Sequence, residues 1–445
     1  MANDDLEHVD LAIIRLALPS LGALLAEPLL VAVDTTMIGR LPGSAPLAGL
    51  SLASTILTTL VGLCIFLTYA TTAATARAVG ANRNKEGYRF GIDGIWLAGG
   101  LGIVLGLILY FGGSVIISWF NPTAAVTTQA LSYLHASSWG LPGMLIVLAA
   151  TGTLRGFADA RTPFIVATSG ALVNIPINAI LIYVFGLGIT GAGLGTALAQ
   201  SGMAIVLVTI IAHRARQAGA SILASGTGVL RSLHDAFPLI VRTLSLRSAI
   251  LLLIAGASGL GTVALATNQI VMTVWNFMSY GLDSLATAAQ ILVGQALGLN
   301  QPNVVRRVLH RCILWGVWVG IGLGIVVGAL SFVVPWIMST DADVQTLSRI
   351  ILWIAGLAVP LASLAFILDG VLIGAGDTRR LAWYMLATLC AFAPVAGIVL
   401  WRPDWFGQTW GMAVLWIGYG GVTMAVRAGT QFVRTRGDDW MHLAR

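Results

Sequence analysis

Twelve long stretches of this chain carry almost no charge, and nothing constrains the fold more. They cover approximately 11–38, 46–76, 90–119, 128–154, 162–185, 189–212, 236–259, 262–297, 304–335, 346–375, 380–400 and 407–428. About 20 apolar residues make one membrane-spanning helix. The runs are continuous, whereas a transmembrane barrel alternates polar and apolar positions. Several exceed the length of a straight span, so tilted or kinked helices are expected.

Composition agrees. Only 9% of the 445 residues are charged and 57% are hydrophobic, against roughly 25% charged in soluble domains. A soluble globule and a disordered chain are both excluded. The net charge of +6 does not gather on a polar face, so no nucleic-acid partner is expected. Cys64, Cys312 and Cys390 each lie in an apolar run and have no disulfide or zinc spacing. The acidic start, MANDDLEHVD, is unlike a cleavable signal.

The basic residues between the runs alternate. The gaps after segments 2, 4, 6, 8 and 10 hold Arg77, Arg83, Lys85, Arg89, Arg155, Arg161, Arg214, Arg216, Arg231, Arg306, Arg307, Arg379 and Arg380. The opposite gaps hold little beyond Arg40 and Arg402. Basic loops favour the cytoplasmic side. The expectation is a multi-pass protein of the cytoplasmic (inner) membrane with both termini inside.

Two motifs recur at one common offset. ARAVGAN (76–82) matches GQALGLN (294–300), and GTLRGFADAR (152–161) matches GVLIGAGDTR (370–379). Pro19 and Pro238 match one position out of step. The chain is therefore divided into an N-terminal lobe, 1–212, a cytoplasmic linker, 213–235, and a C-terminal lobe, 236–445. Six spans per lobe is an even number, so the lobes share one topology. They are expected to be related by a pseudo-two-fold axis along the membrane normal, with a substrate path between them.

Charges inside the runs mark function or pairing, because each costs at least ~2.5–3.5 kcal/mol at the bilayer centre. Segment 1 carries Glu27 and, two turns on, Asp34; segment 8 carries Asp283; segment 10 carries Asp369; segment 7 carries Arg242 and Arg247. The arginines divide between pairing with Asp283 or Asp369 and a substrate role. Asp34 has no nearby cation on its own segment before Arg40, which makes it the candidate for binding and releasing a proton. In segment 5, Asn174 and Asn178 share a helix face around Pro176, and Thr196 opens segment 6. Met37, Trp275 and Phe277 suit an adaptable apolar lining, with plain packing as the alternative.

Other signals lead nowhere. GAGLGTA (191–197) has no βαβ unit around it and suits a close helix contact better than a dinucleotide. Gly316, Gly320, Gly324 and Gly328 form a small-residue packing stripe. His135 has no second histidine spaced to share a metal. There is no Walker A lysine, HExxH or GxSxG, so neither ATP hydrolysis nor another enzyme activity is expected, and no cofactor or resident metal.

EPLLVAVDTTMIGRL (27–41), RTLSLRSA (242–249), GLDSLATAAQILVGQALG (281–298) and LDGVLIGAGDTR (368–379) resemble the multidrug and toxic compound extrusion (MATE) family, in its DinF (DNA-damage-inducible F) branch. The resemblance covers roughly residues 10–430. It implies a V-shaped pair of lobes, alternately open to each side, exporting amphipathic or cationic organic compounds against H+, with Na+ as the alternative ion. Asp34, Asn174 and Thr196 fall on the family's cation-coupling cluster, joined here by Asn178, and Pro19 on its helix-1 kink. Asp369 falls on the C-lobe acid of sodium-coupled relatives, so Na+ has candidate sites at Asp34 and Asp369. Two departures stand out: many relatives have aspartate where Asn178 stands, and close ones often have glutamate at Gln290. Losing a carboxylate favours H+ over Na+, and Glu27 is a candidate replacement acid. Glu27, Met37, Arg242, Trp275, Asp283 and Asp369 are the candidates for the substrate cavity. The expected partners are small-molecule substrates and the bilayer, with the protein acting as a monomer. The rival reading, a flippase for lipids or lipid-linked sugars, needs a cationic cavity, for which Arg242 and Arg247 are the candidates.

Overall fold

A chain of apolar runs separated by short polar gaps has one way to satisfy its backbone in lipid, hydrogen-bonding within each run, and helices follow. The computed structural model describes residues 8–441, with the side chains of Glu27, Leu30 and residues 226–236 outside the description. No strand occurs among the described residues.

The helices are α1 Val9–Ile38, α2 Ala45–Leu63, α3 Phe66–Gly80, α4 Asn84–Ser118, α5 Ala124–Ser138, α6 Leu141–Gly156, α7 Arg161–Ala179, α8 Gly188–Gln217, α9 Gly226–Gly259, α10 Thr262–Gly298, α11 Pro302–Leu330, α12 Val334–Met338, α13 Ala342–Ala375, α14 Thr378–Trp401, α15 Gly407–Trp416 and α16 Thr423–Arg436. Each of the twelve apolar segments corresponds to one helix or to a broken pair. Ten helices among the described residues are long and apolar enough to cross a membrane, counting α2 with α3 and α15 with α16 as one each. The pair α5 and α6, bent by 52°, makes an eleventh. α10, the eighth segment and the one left over, is 37 residues long; Asn268, Asp283, Gln290 and Gln295 leave it too polar to be counted with them.

Chain contacts divide the protein into two compact units. One is Leu18–Ala236, here the N-terminal unit; the other combines the chain up to Ala17 with Phe237 onward, the C-terminal unit. The boundary falls inside α1, just before Pro19, which sits within the helix together with Pro28. In the N-terminal unit, apolar side chains cluster around Leu134 with Leu141 and around Leu154 with Leu207. In the C-terminal unit they cluster around Trp275, Ile351, Phe392 and Trp416.

The sequence repeat is a repeat of helix contacts. A Cβ on Gly152 would lie 2.5 Å from the Thr68 carbonyl, and one on Gly370 would lie 2.1 Å from the Ala286 carbonyl. The two glycines, and likewise Thr68 and Ala286, are separated by the offset of the repeat. The next turns behave alike, with Gly156 against Thr72 O and Gly374 against Gln290 O. Each motif then ends in a left-handed residue: Asn82 (φ 58°) and Asn300 (φ 54°), Ala158 (φ 60°) and Gly376 (φ 82°). The glycine stripe of α11 lies on α13, where a Cβ on Gly324 would meet the Gly356 carbonyl at 2.7 Å and Ser363 Oγ donates to the Gly316 carbonyl at 2.7 Å. Close backbone approach replaces the hydrophobic drive that lipid removes.

Candidate functional site

The polar residues of the N-terminal unit converge because α8 carries no side chain where α7 and α5 touch it. Cβ atoms at Gly191 and Gly193 would lie 2.8 Å from Leu181 C and from the Tyr133 carbonyl. One at Gly195 would lie 1.7 Å from Asn178 Oδ1. GAGLG is thus a docking face for two helices. It lets Asn178 stand between α8 and α1.

Asn178 Nδ2 donates to Asp34 Oδ1 at 2.6 Å and to Asn174 Oδ1 at 2.9 Å. The second bond is the one-turn spacing of α7. Pro176, between the two asparagines, withholds a backbone N–H, and the helix passes into a π turn at Ile180–Val184. From that turn the Tyr183 hydroxyl donates to the Met37 carbonyl at 2.7 Å, fixing α1 just beyond Asp34. Thr196 Oγ1 donates to the Ala192 carbonyl at 3.0 Å and lies near Asp34 and Tyr133.

Asp34 is 5% exposed, Asn174 1%, Asn178 0% and Thr196 8%. No arginine, lysine or histidine pairs with Asp34 among the described residues. Asn174 Nδ2 and Asn178 Oδ1 have no hydrogen-bond partner among the described residues. The expected cluster of Asp34, Asn174, Asn178 and Thr196 is therefore brought together, with Tyr133 added from α5. The Glu27 side chain lies outside the described residues. Met37 contributes its carbonyl and packs its side chain at the edge of the core.

The C-terminal unit holds a different cluster. Arg242 of α9 reaches Asp369 of α13 at 2.6 Å. Arg427 of α16 donates to the same carboxylate oxygen, and Gln431 Nε2 to the other. All four residues are buried, and the Arg427 guanidinium lies 4.6 Å over the Phe366 ring. Asp283 is half-buried on α10 and Arg247 is exposed on α9. Trp275 sits in the core, edge-on to Trp416 and Tyr419, so its contacts are packing; Phe277 faces outward. The family profile MatE matches residues 19–180 and 238–399.

The chain belongs to the MatE family. The two matched blocks are equal in length and begin at Pro19 and beside it in the repeat at Pro238, the proline pair noted in the sequence. The chain is 29% identical to protein DETOXIFICATION 43 of Arabidopsis thaliana over 75% of its own length and 63% of that relative's. It is 25% identical to the probable multidrug resistance protein NorM of Pasteurella multocida, covering 95% of this chain and 93% of that one. The Vibrio cholerae MATE transporter VcmN in its bent form shares the fold with a TM-score of 0.86 at 18% identity, over 98% and 99% of the two chains. MatE proteins are membrane transporters; here Asp34 of the N-terminal unit has no ion-pair partner among the described residues, whereas Asp369 of the C-terminal unit is neutralised by two arginines.

The sequence does not single out Tyr133, Gly195, Arg427 or Gln431. Arg427 carries a signal all the same: it lies inside the twelfth apolar run, where a charge asks for a partner. Tyr133 and Gly195 carry none, since a lone tyrosine and a glycine among glycines look like packing.

Proposed function

We propose that this MatE protein is a secondary active exporter of amphipathic or cationic organic compounds, driven by proton antiport at Asp34. The observation that carries the reading is the buried Asp34 carboxylate, held by the Asn178 amide with no cation beside it among the described residues. With Asp34 ionised, the Asn178 bond is charge-assisted, roughly twice as strong as a neutral one. A proton on Asp34 removes that advantage and loosens α1 from α7 and α8. The two protonation states thus bias two arrangements of α1, which is what coupling requires. A sodium site wants several oxygen ligands, and here one carboxylate, Asp34, faces neutral amides. This favours H+ over Na+.

The efflux direction and drug-like substrates follow the names of the relatives, and the DinF-type assignment follows the motifs of segments 1, 7, 8 and 10. The arginine-rich gaps support a cytoplasmic position for both termini, in a cell whose cytoplasmic membrane holds the protein as a monomer. The flippase reading loses ground, because Arg242 is engaged by Asp369.

The test is efflux of a fluorescent organic cation from proteoliposomes under a pH gradient or a sodium gradient, with Asp34→Asn beside wild type. Transport under the pH gradient alone, absent in Asp34→Asn, is the expected result. Transport driven by sodium, or undiminished in Asp34→Asn, overturns the proposal.

A further inference from the structure

The first turn of α1 meets α11 in the C-terminal unit, and the two line a half-open pocket of about 440 Å³ formed by His8, Val9, Asp10, Leu11, Arg307 and Arg311. That is about fifteen water volumes, room for a glycerophosphate group and several waters. Arg307, Arg311 and Trp315 are successive at one-turn spacing on α11. Trp315 Nε1 donates to Asp10 Oδ1 at 3.0 Å. The arginines therefore lie about 6 and 12 Å along the helix from that tryptophan, toward the helix end. A tryptophan with arginines outside it is the pattern of a membrane–water interface.

The charges are unequal. Asp10 serves Trp315 first and reaches Arg311 only at 3.6 Å, in a half-exposed pair; such pairs contribute little and are easily exchanged. Arg306, the neighbour of Arg307, is tied to Asp438 at 2.6 Å. Arg307 has no ion pair among the described residues. The pocket thus presents two arginines and a histidine to one partly engaged carboxylate, near the N-terminal end of α11.

We infer that this cavity binds the phosphate of an anionic phospholipid, with Arg307 and Arg311 as its ligands. Basic pockets at helix ends on the arginine-rich side recognise such headgroups. The same chemistry is offered by soluble phosphate esters and by the chain's own Asp4, Asp5 and Glu7, which precede His8 in the sequence. The experiment separates the three.

Native mass spectrometry of the full-length protein with equal phosphatidylglycerol and phosphatidylcholine should show wild type retaining the anionic lipid preferentially. Arg307→Gln with Arg311→Gln should weaken that retention about 25-fold, at roughly fivefold per arginine. Arg307→Lys should keep most of it, and Lys85→Gln all of it. Both arginines are exposed, so the double variant folds. Unchanged retention in the double variant overturns the site. Glycerol 3-phosphate competing as well as the lipid overturns the lipid as its source. Preference appearing only after residues 2–7 are deleted shows that the protein's own acidic segment fills the cavity, and also overturns it.

Discussion

Asn178 reaches across 144 positions of sequence to donate to Asp34 at 2.6 Å, and the space it stands in exists because residue 195 is glycine. A Cβ there would lie 1.7 Å from Asn178 Oδ1. Gly195→Ala should therefore act on the Asp34 site without altering any polar group. We expect coupled transport to fall as far as in Asn178→Ala, with a stability loss of about 1–3 kcal/mol from overpacking. Full transport by Gly195→Ala in proteoliposomes would show that Asn178 need not hold this position.

The C-terminal cluster makes the opposite demand. Asp369 is shared by Arg242, Arg427 and Gln431. Removing one member of a buried ion pair strands the other and costs about 3–5 kcal/mol. Asp369→Ala should lower the thermal midpoint of the detergent-purified protein strongly, whereas Asp34→Asn, with no cation to strand, should leave it nearly unchanged. Equal midpoints for Asp369→Ala and wild type would remove the structural role assigned to this cluster.

Gly152 and Gly370 occupy equivalent contacts in the two halves, each facing a backbone carbonyl that cannot move aside as a side chain can. Alanine at either should cost about 1–3 kcal/mol. Scanning fluorimetry of the two single variants tests the equivalence: a loss confined to one half would show that the repeated motif is no longer a repeated contact.

At the arginine-rich end, Asp159 caps α7. Burial pushes its carboxyl up, but hydrogen bonds from Thr162 N at 3.0 Å and Thr162 Oγ1 at 2.7 Å, with Arg214 at 2.8 Å, outweigh that and hold it below the usual aspartate range. A group depressed on folding stabilises fully above its unfolded value, about 3.9, and loses that contribution as pH falls through its folded one. Thermal stability should therefore drop below about pH 4, and less so in Asp159→Asn than in wild type. Identical acid profiles for the two proteins would contradict it.

Much of the fold was legible because lipid leaves few choices: uninterrupted apolar runs must be helices, and the twelve runs correspond to the helices observed. The repeat was legible too, since the glycines that face carbonyls recur at one fixed offset in the two halves. The π turn at Ile180–Val184 and the sharp break between α5 and α6 were not, because they arise from packing between helices. At the site, Asp34 stood out as a charge in apolar surroundings, whereas Asn174, Asn178 and Thr196 read alone as ordinary interhelical hydrogen-bonding groups and joined it only through the family resemblance. Arg427 and Gln431 sit near the polar end of the last segment and look like its tail. Which acid would find an arginine was hidden, because pairing joins helices far apart along the chain.

The placement of Pro19 has a mechanical meaning. The helix that bears Asp34 begins in the C-terminal unit, where Trp315 grips Asp10, and passes the unit boundary just before that proline. About 22 Å of helix separates Pro19 from Asp34. Over such a lever arm a bend of about 10° at the proline sweeps the carboxylate through about 4 Å. Under the proposed coupling at Asp34, that travel would exceed the 2.6 Å length of its bond to Asn178, and a small hinge motion at one end of α1 would break the contact at the other.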